Sequence, residues 1–229
     1  KTSQHPIISG GIMLAKGCIF DFDGVVMDSE RYHYEAWKEV ADHVGLEFTE
    51  QDYFPFKSTG RHIIIDYMIK RSGKKYTPQL YDEMYRLRAE AYGRRADKLT
   101  ADMTINGVRE FLQLLRDNNI LCAVASASAS AGILIKRFGL DKYFDTVLDG
   151  TSPLPPKPNP AIYLECAQRL NLDPSRCAVF EDALCGVEGA LSAGMHTVGV
   201  GRYLEGKADK IIENFAGCDL SLIDFKETK

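Results

Sequence analysis

The sequence predicts an α/β fold: a doubly wound parallel sheet with an α-helical segment inserted near its start. Three observations predict it. Short apolar runs that end in acids, hydroxyls or glycines recur after residue 104 and alternate with helical patterns. One such run, residues 17–22, stands apart near the beginning. Between the two lie residues 31–103, where helical spacing dominates, charge is dense, aromatics are frequent and no second strand is visible. That change of texture marks an insertion into an alternating core.

Residues 17–22 form an apolar run closing on Asp21, Asp23 and Gly24, as a buried parallel strand does. A helix follows over residues 30–44 and is stopped by Gly45. Helical patterns occupy residues 61–71 and 78–95. The alternation then resumes with a helix at 106–118, a strand at 120–125, a helix at 130–138 and a short strand at 146–148. A proline-rich loop, residues 152–160, leads to a helix at 161–170. A strand at 177–180, a helix at 184–193 and a strand at 196–200 complete the series. Repeated β-α-β units of this kind give a Rossmann-like core with right-handed crossovers. The expected division is a core of residues 15–30 and 104–225, an insert of residues 31–103, and a loose tail over residues 1–14. The tail's apolar patches are broken by Gly10 and Gly11, so it does not read as a secretory leader.

Composition narrows the function classes. With 229 residues and 45% hydrophobic side chains, the chain can build one substantial core and a modest insert. A formal net charge of -4 lacks the basic footprint of a nucleic-acid or anionic-membrane binder, so neither partner is expected. No run is long and apolar enough to span a bilayer. Cys18, Cys122, Cys166, Cys177, Cys185 and Cys218 are scattered without metal-ligand spacing, and read as reduced, buried hydrophobes. A cytoplasmic protein is the expectation.

In a doubly wound sheet the ligand sits beyond the carboxyl ends of the strands. There the sequence places Asp21-Phe22-Asp23, then Ser126, then Lys157 in the proline-rich loop, then Glu181-Asp182. Singly, each has an ordinary reading: a turn, a strand end, a solvated lysine, acids in a helix's first turn. Together they suit phosphoryl transfer. A carboxylate can take the phosphoryl group. Its repulsion by a phosphate dianion must then be shielded, by a hard divalent ion on oxygen ligands and by a lysine. A hydroxyl can bond a phosphate oxygen, and a second carboxylate can move the proton.

In this order, Asp21-Phe-Asp23-Gly-Val-Val, Ser126, Lys157-Pro and Glu181-Asp182 resemble the four motifs of the haloacid dehalogenase superfamily. The likeness runs from about Lys16 to Asp224. The insert after the first motif is similar to the helical cap of the phosphoglucomutase-like branch. The resemblance implies that Asp21 is the nucleophile and a metal ligand. Asp23 would be the general acid/base and lend its backbone carbonyl to the metal. Ser126 and Lys157 would hold the transferring phosphate, and Asp182, with Glu181 beside it, would bind Mg²⁺. It implies a small phosphorylated metabolite, a sugar phosphate, as substrate, and a monomer.

For the cap, the resemblance points to His33, Trp37, Lys57, Arg61 and Arg88, and in the core to Ala127 and Ser128, as groups facing the substrate. His33 and Trp37, spaced i, i+4, share one helix face, which can equally pack the insert onto the core. Lys57 and Arg61 can equally be solvated loop cations. Two departures stand out: Ala129 and Ser130 replace a lysine and an asparagine of the branch, and Ile64 replaces a serine. The sequence leans to a mutase that interconverts sugar 1- and 6-phosphates, with a hexose or polyol phosphatase as the alternative. An inactive binding protein would lack Asp21, Asp23, Lys157 or Asp182, and all four are present.

Overall fold

The computed structural model describes residues 12–226. Its core is a six-stranded parallel sheet in the order β4-β3-β2-β5-β6-β7. The strands are β2 (Gly17–Phe20), β3 (Leu121–Ala125), β4 (Thr146–Leu148), β5 (Cys177–Glu181), β6 (His196–Val200) and β7 (Lys210–Ile212). β2 is central: Phe20 lies opposite Val124 of β3 and Phe180 of β5. Successive strand residues point to opposite faces. Cys18, Phe20, Cys122, Val124, Ala178 and Phe180 therefore share one apolar cluster, while Ile19, Ala123, Ala125, Cys177 and Val179 share another. The helices cover these two faces. α5 (Val108–Asp117) and α6 (Ala131–Arg137) close the first, with Phe111, Leu112 and Leu134; α7 (Ala161–Arg169) and α8 (Leu184–Ser192) close the second, with Tyr163, Cys166 and Ala190. Phe20 stacks on Phe180 at 4.5 Å between ring centres, at the centre of the first cluster.

Between β2 and β3 the chain leaves the sheet to build α1 (Glu30–His43), α2 (Glu50–Tyr53), α3 (Arg61–Arg71) and α4 (Pro78–Ala96). Local chemistry sets the starts of two of these. Thr49 and Asp52 form a reciprocal capping box on α2. Thr77 caps α4, whose first position is Pro78. The helices bury a core of their own, with Trp37, Val40, Ile64, Ile65, Met68 and Met84. Arg94 and Arg95 of α4 pair with Glu35 and Glu39 of α1. The outgoing and returning segments run side by side. Met27 bridges Thr104, the Asp28 amide donates to the Met103 carbonyl at 2.8 Å, and the Ile105 amide to the Val26 carbonyl at 3.0 Å.

Two edges differ from the expectation. Residues 12–14 are not a loose tail: β1 (Ile12–Leu14) pairs antiparallel with β8 (Asp224–Lys226), giving a two-stranded ribbon. The remainder of the expected tail, residues 1–11, lies outside the described residues. The sheet also gains β7, a half-buried three-residue edge strand with too little apolar run to stand out in sequence. The first strand ends at Phe20, so Asp21, Phe22 and Asp23 lie past the regular ladder. Among the described residues no helix is long and apolar enough to cross a membrane.

Candidate active site

The carboxyl ends of β2, β3 and β5 converge on one buried polar cluster. Asp21, 1% exposed, follows β2, and its amide donates to the Phe180 carbonyl at 2.9 Å. Lys157, 2% exposed, reaches in from the proline-rich loop. Its ammonium donates to Asp21 Oδ1 at 2.8 Å, to Glu181 Oε1 at 2.5 Å and to the Ala125 carbonyl at 2.9 Å. A second donor for Glu181 Oε1 is the Tyr163 hydroxyl, at 2.7 Å. All three donors of the ammonium are thereby used, which is how a buried lysine stays charged. Burial depresses the Lys157 pKa, but Asp21 and Glu181 more than reverse this and hold it well above the usual lysine value. Burial pushes the Asp21 carboxyl up to about 7; Lys157 opposes the rise, and Glu181 and Asp23 add to it.

One oxygen each of Asp21, Glu181 and Asp182 lies within 4.8 Å of the others, so the three can hold a metal ion. Asp182 Oδ1 is buried without any hydrogen-bond partner, as a ligand atom awaiting a cation would be. Burial pushes the Asp182 carboxyl up to about 6, against the opposing charge of Lys57. An all-oxygen, anionic donor set suits a hard divalent ion. Two glycines make room for it. A Cβ at Gly186 would collide with the Glu181 carboxylate, and one at Gly24 (φ +81°) with Asp182 Oδ2.

Asp23 is held differently. The Ser29 hydroxyl donates to Asp23 Oδ1 at 2.5 Å. His33 Nε2 lies 3.0 Å from the same oxygen, although its N–H is not aligned for a hydrogen bond. Arg88 donates to His33 Nδ1 at 2.7 Å, which leaves the ring proton on Nε2, facing the carboxylate. The Arg88 guanidinium lies 4.9 Å from each of the Trp37 and Tyr92 ring centres. Burial raises the Asp23 carboxyl, but His33 and Ser29 outweigh it and the net shift is downward. Burial lowers the His33 pKa against the pull of Asp23, and lowers that of Arg88 to about 10.

Two cavities adjoin the cluster. One of about 40 Å³ lies over Asp21 and Asp23, with His33, Trp37, Arg88 and Ser128 in its wall. Another of about 240 Å³ opens beside Ser126 and Lys157, under Tyr81 and Tyr85 of α4. Arg61 and Ala127 line both. Arg61 sits on the Tyr85 ring, 5.4 Å from its centre. Ser126 Oγ accepts from the Ser128 amide at 3.0 Å.

Lys57, expected to face the substrate, lines neither of these two cavities. Its ammonium pairs with Asp182 Oδ2 and lies 3.9 Å from Glu30. Buried acids draw it inward. Ile64 is buried in the insert's own core and also borders the smaller cavity.

Several site residues escaped sequence reasoning. Ser29 stands at the N-cap of α1, the usual place for a serine, yet makes no capping bond and serves Asp23 instead. Ser58 donates to Asp21 Oδ2 at 3.3 Å, and Tyr163 supports Glu181 from α7. No local signal in the sequence distinguishes these from ordinary cap, loop and core residues.

Comparison with known proteins agrees with the fold. A family model described as haloacid dehalogenase-like hydrolase matches residues 15–194. The β-phosphoglucomutase of Bacillus subtilis is 32% identical over 189 residues, covering 82% of this chain and 84% of that protein. A phosphorylated carbohydrates phosphatase of Thermotoga maritima is 34% identical over 187 residues, covering 79% and 82%. Among solved structures, β-phosphoglucomutase from Clostridium difficile superposes with a TM-score of 0.85 at 29% identity, covering 92% of this chain and 96% of that one.

Proposed function

This chain belongs to the haloacid dehalogenase-like hydrolases, and from that premise we propose that it moves the phosphoryl group of a sugar phosphate onto Asp21 and from there to water. The observation that carries this reading is the contrast between two carboxylates two residues apart. Asp21 shares Lys157 and a metal-competent acid cluster, whereas Asp23 is held apart from both by Ser29 and the His33–Arg88 arm. One is equipped to bond to phosphorus and the other to move a proton.

In the first half-reaction an Asp21 oxygen attacks phosphorus, the bond from phosphorus to the sugar oxygen breaks, and Asp23 gives that oxygen its proton. Asp23 rests ionised, since its carboxyl is held below the usual range. A phosphate dianion beside it opposes that ionisation and favours uptake of the proton it then donates. In the second half-reaction Asp23, ionised again, takes a proton from the attacking water as the acyl phosphate is cleaved. The Ser126 hydroxyl bonds an oxygen of the transferring phosphate, and the Lys157 ammonium steadies the phosphate with its charge from beside Asp21. Asp21, Glu181 and Asp182, joined by the Asp23 carbonyl, would hold magnesium, which would supply charge that screens carboxylate from phosphate.

The helical insert acts as a cap over this site. Arg61, Trp37, Ala127 and Ser128 meet the non-reacting part of the substrate, and Arg88 acts through His33. Water is favoured as acceptor by the state of the cations. Lys57 is committed to Asp182, Arg88 to His33, and Ala129 and Ser130 carry no charge. That leaves Arg61 as the cation at the far end, whereas a mutase must grip the second phosphate of a bisphosphate. The mutase reading retains one specific support, the identity to β-phosphoglucomutase across most of the chain.

An assay decides between them. Purified protein with Mg²⁺ is given β-glucose 1-phosphate, with and without glucose 1,6-bisphosphate, alongside a panel of hexose and polyol phosphates. Release of free phosphate without glucose 6-phosphate is the expected result. Glucose 6-phosphate formed without free phosphate would establish the mutase instead.

A further inference from the structure

Residues 54–58 of the insert press onto the core at the edge of the acid cluster, through Phe54 and Lys57, to which the proton and phosphoryl steps give no role. The Phe54 ring meets Tyr203 edge-on, with centres 4.8 Å apart. The Cys185 thiol of α8 donates to the Lys57 carbonyl at 3.1 Å. The Lys57 ammonium pairs with Asp182 Oδ2, lies 3.4 Å from the Tyr203 hydroxyl, and stands 5.8 and 5.6 Å from the Phe54 and Tyr203 ring centres. The two oxygens of Asp182 therefore differ. Oδ2 is bound from the insert, whereas Oδ1 is buried and has no partner.

We propose that Lys57 is a positioning residue for the metal centre: it holds Asp182 through Oδ2 so that Oδ1 is turned toward the ion. The inference rests on the metal site proposed above. Lys57 and a divalent ion are compatible there by charge. Four buried carboxyl groups, of Asp21, Glu30, Glu181 and Asp182, share the two ammonium groups of Lys57 and Lys157, so the cluster can take further positive charge. A carboxylate shared between a metal on one oxygen and a donor on the other is the usual arrangement of outer support at metal sites. Here that support crosses from the insert to the core, so metal affinity depends on where residues 54–58 sit.

The test is calorimetric titration of MgCl₂ into the protein without substrate, comparing wild type with Lys57→Met, Lys57→Arg and Phe54→Ala. Loss of an outer-shell partner weakens metal binding roughly tenfold or more, so Lys57→Met is expected to bind Mg²⁺ about tenfold more weakly, with Lys57→Arg recovering most of the loss. Phe54→Ala leaves every charge in place and loosens only the docked segment, so it should weaken binding by a smaller factor. A lysine that acts merely as a nearby positive charge gives the opposite sign, because its removal tightens Mg²⁺ binding. Unchanged or tighter binding in Lys57→Met overturns the proposal. If that variant does not fold, as judged by its circular dichroism melt, Phe54→Ala decides on the same criterion. Failure of the wild type to bind Mg²⁺ would instead remove the metal site itself, and the role of Lys57 with it.

Discussion

Lys157 has two buried carboxylates and a carbonyl as its partners, so its removal strands charge in a place that water does not reach. Breaking a buried pair from one side costs about 3–5 kcal/mol, and Lys157→Met is expected to lose about that much in urea unfolding of the metal-free protein. Asp21→Asn keeps the shape and removes the proposed nucleophile. It should lower phosphate release by at least about a thousandfold, as knockouts of covalent catalysts do, while remaining folded. His33 gives a pH signature. Its native pKa is depressed by burial, so below about 6.5 the unfolded chain takes up a proton that the native ring resists. Stability is then lost as the pH falls from there toward the native value. His33→Gln should show a shallower fall of melting temperature between about pH 6.5 and 5; an unchanged slope would mean that His33 is not held neutral. At this scale the sequence is informative where type and position coincide, as at Asp21, Asp23, Ser126, Lys157 and Asp182. It is silent at Ser29 and Ser58, because a serine at a helix start or in a loop has several ordinary uses and only the fold selects one.

The strand–helix units explain why the core motifs are legible in order. Each acid or hydroxyl ends a buried run, and a parallel sheet brings all such ends to one side. Edge elements are not legible. β7 and the β1–β8 ribbon are three-residue strands, too short to show a period. α8 illustrates how an element serves the site. Gly186 in its first turn gives space to the Glu181 carboxylate. Gly186→Ala would crowd a group pinned by Lys157 and Tyr163, so overpacking of about 1–3 kcal/mol is expected. Mg²⁺ binding should weaken with it. A melt together with a Mg²⁺ titration checks both, and full affinity in this variant would show that Glu181 is free to yield.

For the whole molecule, the metal-free site holds more buried negative charge than its two lysines balance, and an ion that binds only the native site stabilises it. At a hundred times its dissociation constant the gain is about 2.7 kcal/mol. For a chain of this length that corresponds to a rise in melting temperature of about 5–11 °C. Scanning calorimetry with Mg²⁺, and again after EDTA, should show the rise and its reversal; equal melting temperatures would argue against the acid cluster as a metal site. The contact between insert and core could not be read in advance. Lys57 and Asp182 are 125 residues apart, and a pairing at that distance is set by how two packed bodies meet, a quantity no local pattern encodes.

The two segments joining those bodies are bonded to each other, through Met27 with Thr104 and through the amides of Asp28 and Ile105. A pair of independent strings would let the helical body wander in any direction. A laced pair behaves like the spine of a book, with one axis to turn about. Lys57, Ser58 and Arg61 are then carried on one doubly anchored body, so whatever orients that body sets all three at once.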